Sequence, residues 1–181
     1  MECRFNEQKA TQVAALLLKL RGNRMKYIKL IKLMYLVDRE ALGRWGRPVT
    51  TDHFVSMDKG PVLSRVYSLI SEEQEEPTFW TTHIEPTSGH DVQLIADPGD
   101  GELSLQEEQL IKSVFDQHGH KCRWKLIDEL HKVPEWQDPK GSMIPIAVDE
   151  ILKAIGKTPA EIEAISRDLD VEAFADLVWS R

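Results

Sequence analysis

The stretch Tyr27-Ile28-Lys29-Leu30-Ile31-Lys32-Leu33-Met34-Tyr35-Leu36-Val37-Asp38-Arg39-Glu40-Ala41-Leu42 carries the strongest fold signal in the chain. With Met25 before it, the residues Ile28, Ile31, Tyr35 and Leu42 recur at helical spacing, and Tyr27, Leu30, Met34, Val37 and Ala41 run beside them. An apolar face that wide predicts a central, heavily buried helix. It is expected to begin near Asn23 and to end at Gly43 and Gly46. Lys26, Lys29 and Lys32 repeat at every third position, which predicts a lysine row along its exposed edge.

Toward the N-terminus, Asn6 can cap a helix over residues 7–21 with Ala10, Val13, Ala14, Leu17 and Leu20 inward and Gly22 as the stop. Toward the C-terminus, residues 47–57 lack helical periodicity and read as a loop with one short extended piece. Gly60-Pro61-Val62 is expected to open a third helix through Val66, Leu69 and Ile70, because a proline costs least where the first N–H has no partner anyway. Residues 78–85 and 91–96 read as a β-hairpin joined across Pro86-Thr87-Ser88-Gly89-His90. Ser104-Leu105-Gln106-Glu107 is a capping box for a helix carrying Leu110, Ile111, Val114 and Phe115 to Gly119.

Trp124, Ile127, Leu130 and His131 make the next helix, which Pro134 closes. Pro145 is expected to open another, with Val148, Ile151, Leu152 and Ile155 running to Gly156. Thr158-Pro159-Ala160-Glu161 starts a further helix, and Asp170 is expected to cap a last short one with Phe174, Leu177 and Val178. The fold class is therefore mostly α: a single-domain helical bundle of about seven or eight helices with a small β-hairpin.

A length of 181 residues with no linker-like segment fits one domain over residues 1–181. The longest uncharged run near the start, residues 10–18, is about half of what a bilayer span needs, and the expectation is neither a membrane segment nor a signal peptide. Two cysteines, Cys3 and Cys122, far apart and without CxxC spacing, exclude a disulfide framework and fit a reducing cytoplasm. The net charge is −7, but residues 1–47 hold eleven basic and four acidic side chains, a net of +7, which leaves −14 on the remainder. Either the basic head and the acidic body neutralise each other across the fold, or the head meets an acidic partner.

Catalytic and metal chemistry find little support. His118-Gly119-His120-Lys121-Cys122 is the densest set of possible metal ligands, but Gly119 reads as a helix stop, so the segment is expected to be an interhelical turn and no metal or cofactor is expected. No GxSxG, HExxH, Walker or Rossmann pattern occurs. The remaining enzymatic candidate set is Asp38, His131 and Cys122, and no catalytic role is assigned. The lysine row with Arg21 and Arg24 suits phosphates, yet the chain as a whole is acidic and shows no helix-turn-helix or RNA module, so nucleic acid is the alternative partner rather than the expected one.

Several motifs in order carry a family resemblance: residues 29–40, then Gly46-Arg47-Pro48-Val49-Thr50, Phe54-Val55-Ser56-Met57, Lys59-Gly60-Pro61-Val62 with Tyr67, and residues 126–131 followed by Pro134-Glu135-Trp136. This set resembles the Panacea domain of SocA-type antitoxins, a family that includes phage-associated proteins, over about residues 7–155. The resemblance implies a mostly helical, non-enzymatic bacterial protein that neutralises a toxin encoded beside it, by occlusion or by delivery to a protease, with no membrane partner. Tyr35, Asp38, Arg39, Gly60, Pro61, Tyr67, His131 and Trp136 are the matched residues, expected to hold the scaffold. Tyr35 needs a partner for its hydroxyl, and His131 is expected to sit beneath Trp136.

Partner contacts are expected at the basic N-terminal end. Phe5 stands before the Asn6 cap, Gln8, Gln12 and Lys19 are placed on the outward side of a first helix with few core contacts, and Arg24, Lys26 and Lys29 extend the charged rim. Trp45 is the alternative anchor. Residues 1–22 are expected to vary with the partner, residues 1–5 to order on it, and residues 157–181 to form a C-terminal helical extension.

Overall fold

The computed structural model describes residues 4–179; Met1, Glu2 and Cys3, part of the lead expected to order on a partner, lie outside the described residues. The central helix is α2 (Tyr27–Trp45). Leu30, Leu33, Met34, Tyr35, Val37, Ala41 and Leu42 on it have no exposed surface. Around it pack α1 (Glu7–Leu20), α3 (Ser64–Ser71), α4 (Leu105–His118), α5 (Arg123–Leu130) and α6 (Val148–Ala154), while α7 (Pro159–Trp179) lies against α6. The chain is mostly helical and forms a single domain, as its periodicity predicts.

Local chemistry sets several helix ends as expected. Asn6 Oδ1 accepts from the Lys9 amide at 2.9 Å to start α1. Ser104 and Glu107 close their capping box on α4, and Glu107 also pairs with Lys9 of α1 at 2.8 Å. Thr158 and Glu161 do the same for α7. That helix runs through Asp170 without a break, because no Gly or Pro interrupts residues 160–179, so the expected separate last helix does not exist.

The β-structure is richer than the single hairpin expected. Strands β1 (Arg24–Lys26), β5 (Asp91–Leu94) and β4 (Ile84–Thr87) form one antiparallel sheet in that spatial order, with Met25 opposite Val92, both buried. Residues 24–26 are strand rather than the start of α2 because Gly22 and Asn23 turn the chain with positive φ, and the Asn23 carbonyl accepts from the Leu94 amide at 2.9 Å. Residues 78–83 are turns, not strand. There Thr78 and Thr81 bond each other's backbone amides through their hydroxyls, which competes with a ladder.

A second antiparallel sheet has the order β3 (Gly60–Leu63), β2 (Phe54–Met57), β6 (Ile144–Ile146). Gly60-Pro61-Val62 is thus an edge strand and not the opening of a helix, and Pro145 likewise sits in an edge strand. Edge positions tolerate a missing N–H as well as helix starts do, so proline alone does not separate the two. Helix α3 begins instead at Ser64, capped from a distance: the Asp52 carboxylate accepts from the Arg65 and Val66 amides, both at 2.9 Å.

The basic head and the acidic body largely neutralise each other across the fold. Lys9 pairs with Glu107, Lys19 with Asp97, Arg24 and Lys26 with Asp91, and Arg39 with Glu135. Gly46 ends α2 at φ +72, and a Cβ there would come within 2.9 Å of Ile165 Cγ1 on α7. Gly46→Ala is expected to lower stability by about 1–2 kcal/mol through the left-handed backbone alone. Urea unfolding of the two proteins checks this.

Candidate functional site

The polar side chains of α2 are the feature that sequence periodicity misplaces most. Lys29 and Lys32 are not on an exposed edge: they are 7% and 1% exposed. Lys29 Nζ donates to the Gly119 carbonyl, and Lys32 Nζ to the Pro61 carbonyl at 2.8 Å. Both sit inside because α4, α5 and the β2–β3 hairpin close over the helix, and the long alkyl stems supply apolar surface while the ammonium groups find carbonyls. Burial pulls the Lys32 pKa down to about 7, helped by the nearby Lys59 charge. Gly60, at φ +94, brings the chain past this ammonium so closely that a Cβ would stand 3.2 Å from Lys32 Nζ.

One turn along, the Tyr35 hydroxyl donates to Glu135 Oε1 at 2.7 Å, and Arg39 Nε donates to the same oxygen at 2.6 Å. The Glu135 side chain is fully buried. Burial, then the Glu135 charge, raises the Tyr35 pKa. Burial opposes the Arg39 charge, but the Glu135 contact outweighs it and raises that pKa as well. Asp38 faces the next segment, accepting from the Val49 amide at 2.8 Å, the Thr50 amide at 3.1 Å and the Thr50 hydroxyl. Its burial outweighs these bonds and lifts its pKa to about 7.

The hairpin tip is fastened from the other side. His131 Nε2 lies 3.0 Å from the Asp58 carbonyl, Trp136 Nε1 donates to the Met57 carbonyl at 3.0 Å, and the two rings stack at 4.3 Å between centroids. Tyr67 is half-buried against the core from α3. Of the eight residues expected to hold the scaffold, Tyr35, Asp38, Arg39, His131 and Trp136 engage through their side chains, Pro61 through its carbonyl and Gly60 through its backbone conformation. Sequence reasoning missed the role of Glu135, of Thr50 and of the buried lysines; the one available signal was charge on an otherwise apolar helix.

The candidate enzymatic set does not assemble. Asp38 is tied to Val49 and Thr50, His131 to Asp58 and Trp136, and Cys122 is exposed at the start of α5. The 118–122 segment is the interhelical turn expected: Lys121 Nζ donates to His118 Nδ1 at 3.0 Å, and the exposed His120 sets its ring edge-on to Phe115. Among the described residues no group of His, Cys, Asp and Glu has metal-holding geometry.

A family model described as "Antitoxin SocA-like, Panacea domain" matches residues 30–137. The chain belongs to this family. No curated protein and no solved structure matches it. The Panacea segment begins inside α2 and ends just past Trp136, so it takes in the buried polar cluster except Lys29 and leaves out α1, β1, β6, α6 and α7.

The expected contact surface on α1 needs correction. Gln12 is buried, donating to the Pro98 carbonyl at 3.2 Å and accepting from the Glu102 amide at 2.9 Å, because α1 packs between α2, α4 and the 97–103 loop rather than standing outside the core. Phe5 and Trp45 are half-buried against that core. Gln8 and Lys19 are exposed, Lys19 paired with Asp97 at 2.7 Å.

Several grooves lie outside the cluster, and two of them bear on binding. The larger, about 700 Å³, runs between the β2–β6 edge, α6 and Leu169 of α7. Its carboxylates are already engaged: Asp52 caps α3, Glu150 accepts from the Ala147 amide, and Asp149 accepts from Ser166. The other, about 630 Å³, is lined by Arg21, Arg24, Lys26, Lys29, Arg123 and Trp124 among others. Trp124 is 60% exposed, and the Arg123 guanidinium lies 4.9 Å from its ring centroid.

Two outcomes check the buried cluster. Glu135→Ala leaves the Arg39 charge and the Tyr35 hydroxyl without their acceptor and is expected to cost about 3 kcal/mol or more, against about 1 kcal/mol for Tyr35→Phe; chemical denaturation measures both. Asp38 holds its proton to about pH 7 when folded but only to 3.8, the ordinary carboxyl value, when unfolded. The folded state binds the extra proton in that window, so this group's contribution to stability falls as pH rises through it and is level above. The stability of Asp38→Asn relative to wild type is therefore expected to rise from pH 4 to pH 7 and then stay constant in melts across that range.

Proposed function

We propose that this Panacea-domain chain is an antitoxin that neutralises a cognate toxin by direct protein–protein binding. The observation that carries the reading is the family match over residues 30–137, which spans the central helix and the segments bonded to it. The structure supports a binding role in two respects. Its ionisable interior is committed to holding α2, the hairpin and the 131–137 segment together, which suits a rigid scaffold. A groove that holds the exposed Trp124 is rimmed by arginines, the composition that dominates interface hot spots. The nucleic-acid alternative loses two of its five cations, since Lys29 and Lys32 are buried against carbonyls and cannot meet phosphates.

The test is co-expression with the product of the adjacent gene. Growth arrest by that product is expected to be relieved by this chain, and the two are expected to co-purify. Persistent arrest with no complex overturns the reading. Toxin levels in rescued cells distinguish the two routes, falling if the toxin is handed to a protease and holding steady if it is occluded.

A further inference from the structure

The groove between β1 and the start of α5 carries more positive charge than the fold uses. Around it stand Arg21, Arg24, Lys26, Lys29 and Arg123, against one carboxylate, Asp91. Asp91 is already taken, by Arg24 Nε at 2.9 Å and Lys26 Nζ at 2.9 Å. Among the described residues neither Arg21 nor Arg123 forms an ion pair. Arg21 and Lys29 repel each other, since the Arg21 charge adds to burial in lowering the Lys29 pKa. Elsewhere Lys9, Lys19, Arg39 and Arg47 of the basic head each meet a carboxylate of the acidic body; around this groove five cations share one carboxylate, beside the exposed ring of Trp124.

We propose that this groove receives an acidic segment of the partner protein, its carboxylates on Arg21 and Arg123 and an apolar side chain on Trp124. The inference rests on the antitoxin reading and adds to it where the toxin docks and by what chemistry. Charge complementarity selects the occupant. A short acidic segment satisfies the local excess, whereas a long polyanion such as nucleic acid would extend beyond the groove along a chain of net charge −7 and be repelled. An apolar residue over Trp124 completes a hot spot with a charged rim, which a bare anion cannot.

The test uses the full chain and two folded variants, Arg21→Glu with Arg123→Glu, and Trp124→Ala, each checked for an unchanged melting temperature; Lys29 is left alone because it is part of the buried frame. Against the adjacent gene's product, both variants are expected to bind at least tenfold more weakly than wild type, and wild-type binding is expected to weaken as salt rises. Binding by both variants at wild-type strength overturns the groove while the antitoxin reading stands. If the wild-type chain rescues nothing, the antitoxin reading fails and a second titration decides the groove. The probe is a synthetic peptide, acetyl-Glu-Asp-Phe-Glu-Glu-Leu-Asp-amide, with a single-stranded oligonucleotide of equal charge beside it. Salt-sensitive peptide binding that quenches fluorescence in wild type but not in Trp124→Phe supports the assignment. No such binding, or tighter binding of the oligonucleotide, overturns it.

Discussion

Burial of α2 on nearly every side is the constraint from which the rest of the structure follows. A helix closed over by α1, α4, α5 and the β2–β3 hairpin cannot leave Lys29, Lys32, Tyr35, Asp38 and Arg39 to water, so each must find a partner inside the protein. The partners come from separate places: the Gly119 and Pro61 carbonyls, Glu135, and the Val49–Thr50 loop. They lie from 11 to 100 positions away in the chain. Each bond therefore fixes where a distant segment sits against the central helix, which an apolar contact, being non-directional, does less sharply.

The Glu135 carboxylate is the most consequential of these partners. It alone serves two donors from α2, the Tyr35 hydroxyl and the Arg39 guanidinium, and the residue after it, Trp136, stacks on His131 and holds the hairpin tip by the Met57 carbonyl. Such buried ionic groups add little net stability over apolar replacements but penalise any arrangement that leaves one partner alone. That makes them agents of a single packing rather than of strength. A frame held this way keeps its surface fixed in position, the basic groove at Trp124 included.

The charge distribution has two outcomes in one molecule. Most of the basic head meets acidic residues of the body across the fold, so the −7 net charge conceals paired halves rather than two opposed patches. Around Arg21 and Arg123, which form no ion pair among the described residues, this pairing lapses. Which cations would pair and which would stay free depends on the placement of Asp91 and Asp97 at either end of β5, and neither lies near its partner in sequence.

Short-range chemistry was readable from the chain by itself. The central helix, the Asn6, Ser104 and Thr158 caps, the strands around Ser88-Gly89-His90, the helix stop at Gly119 and the ordered motifs of the Panacea family all rest on residues within one or two helical turns of each other, where spacing alone states the geometry. The misreadings share the opposite property. Gly60-Pro61 and Pro145 satisfy a helix start and an edge strand equally until a neighbouring strand is present to pair with. Gln12 falls on the outward side of an isolated α1, but the 97–103 loop covers it, the Pro98 carbonyl and the Glu102 amide taking its side chain. Lys29 and Lys32 look solvated because a lysine row on an isolated helix would be. Their burial, and the convergence of Tyr35 and Arg39 on Glu135, were decided by tertiary structure alone, because a buried polar atom is satisfied by whichever donor or acceptor the fold brings within about 3 Å, regardless of its distance along the chain.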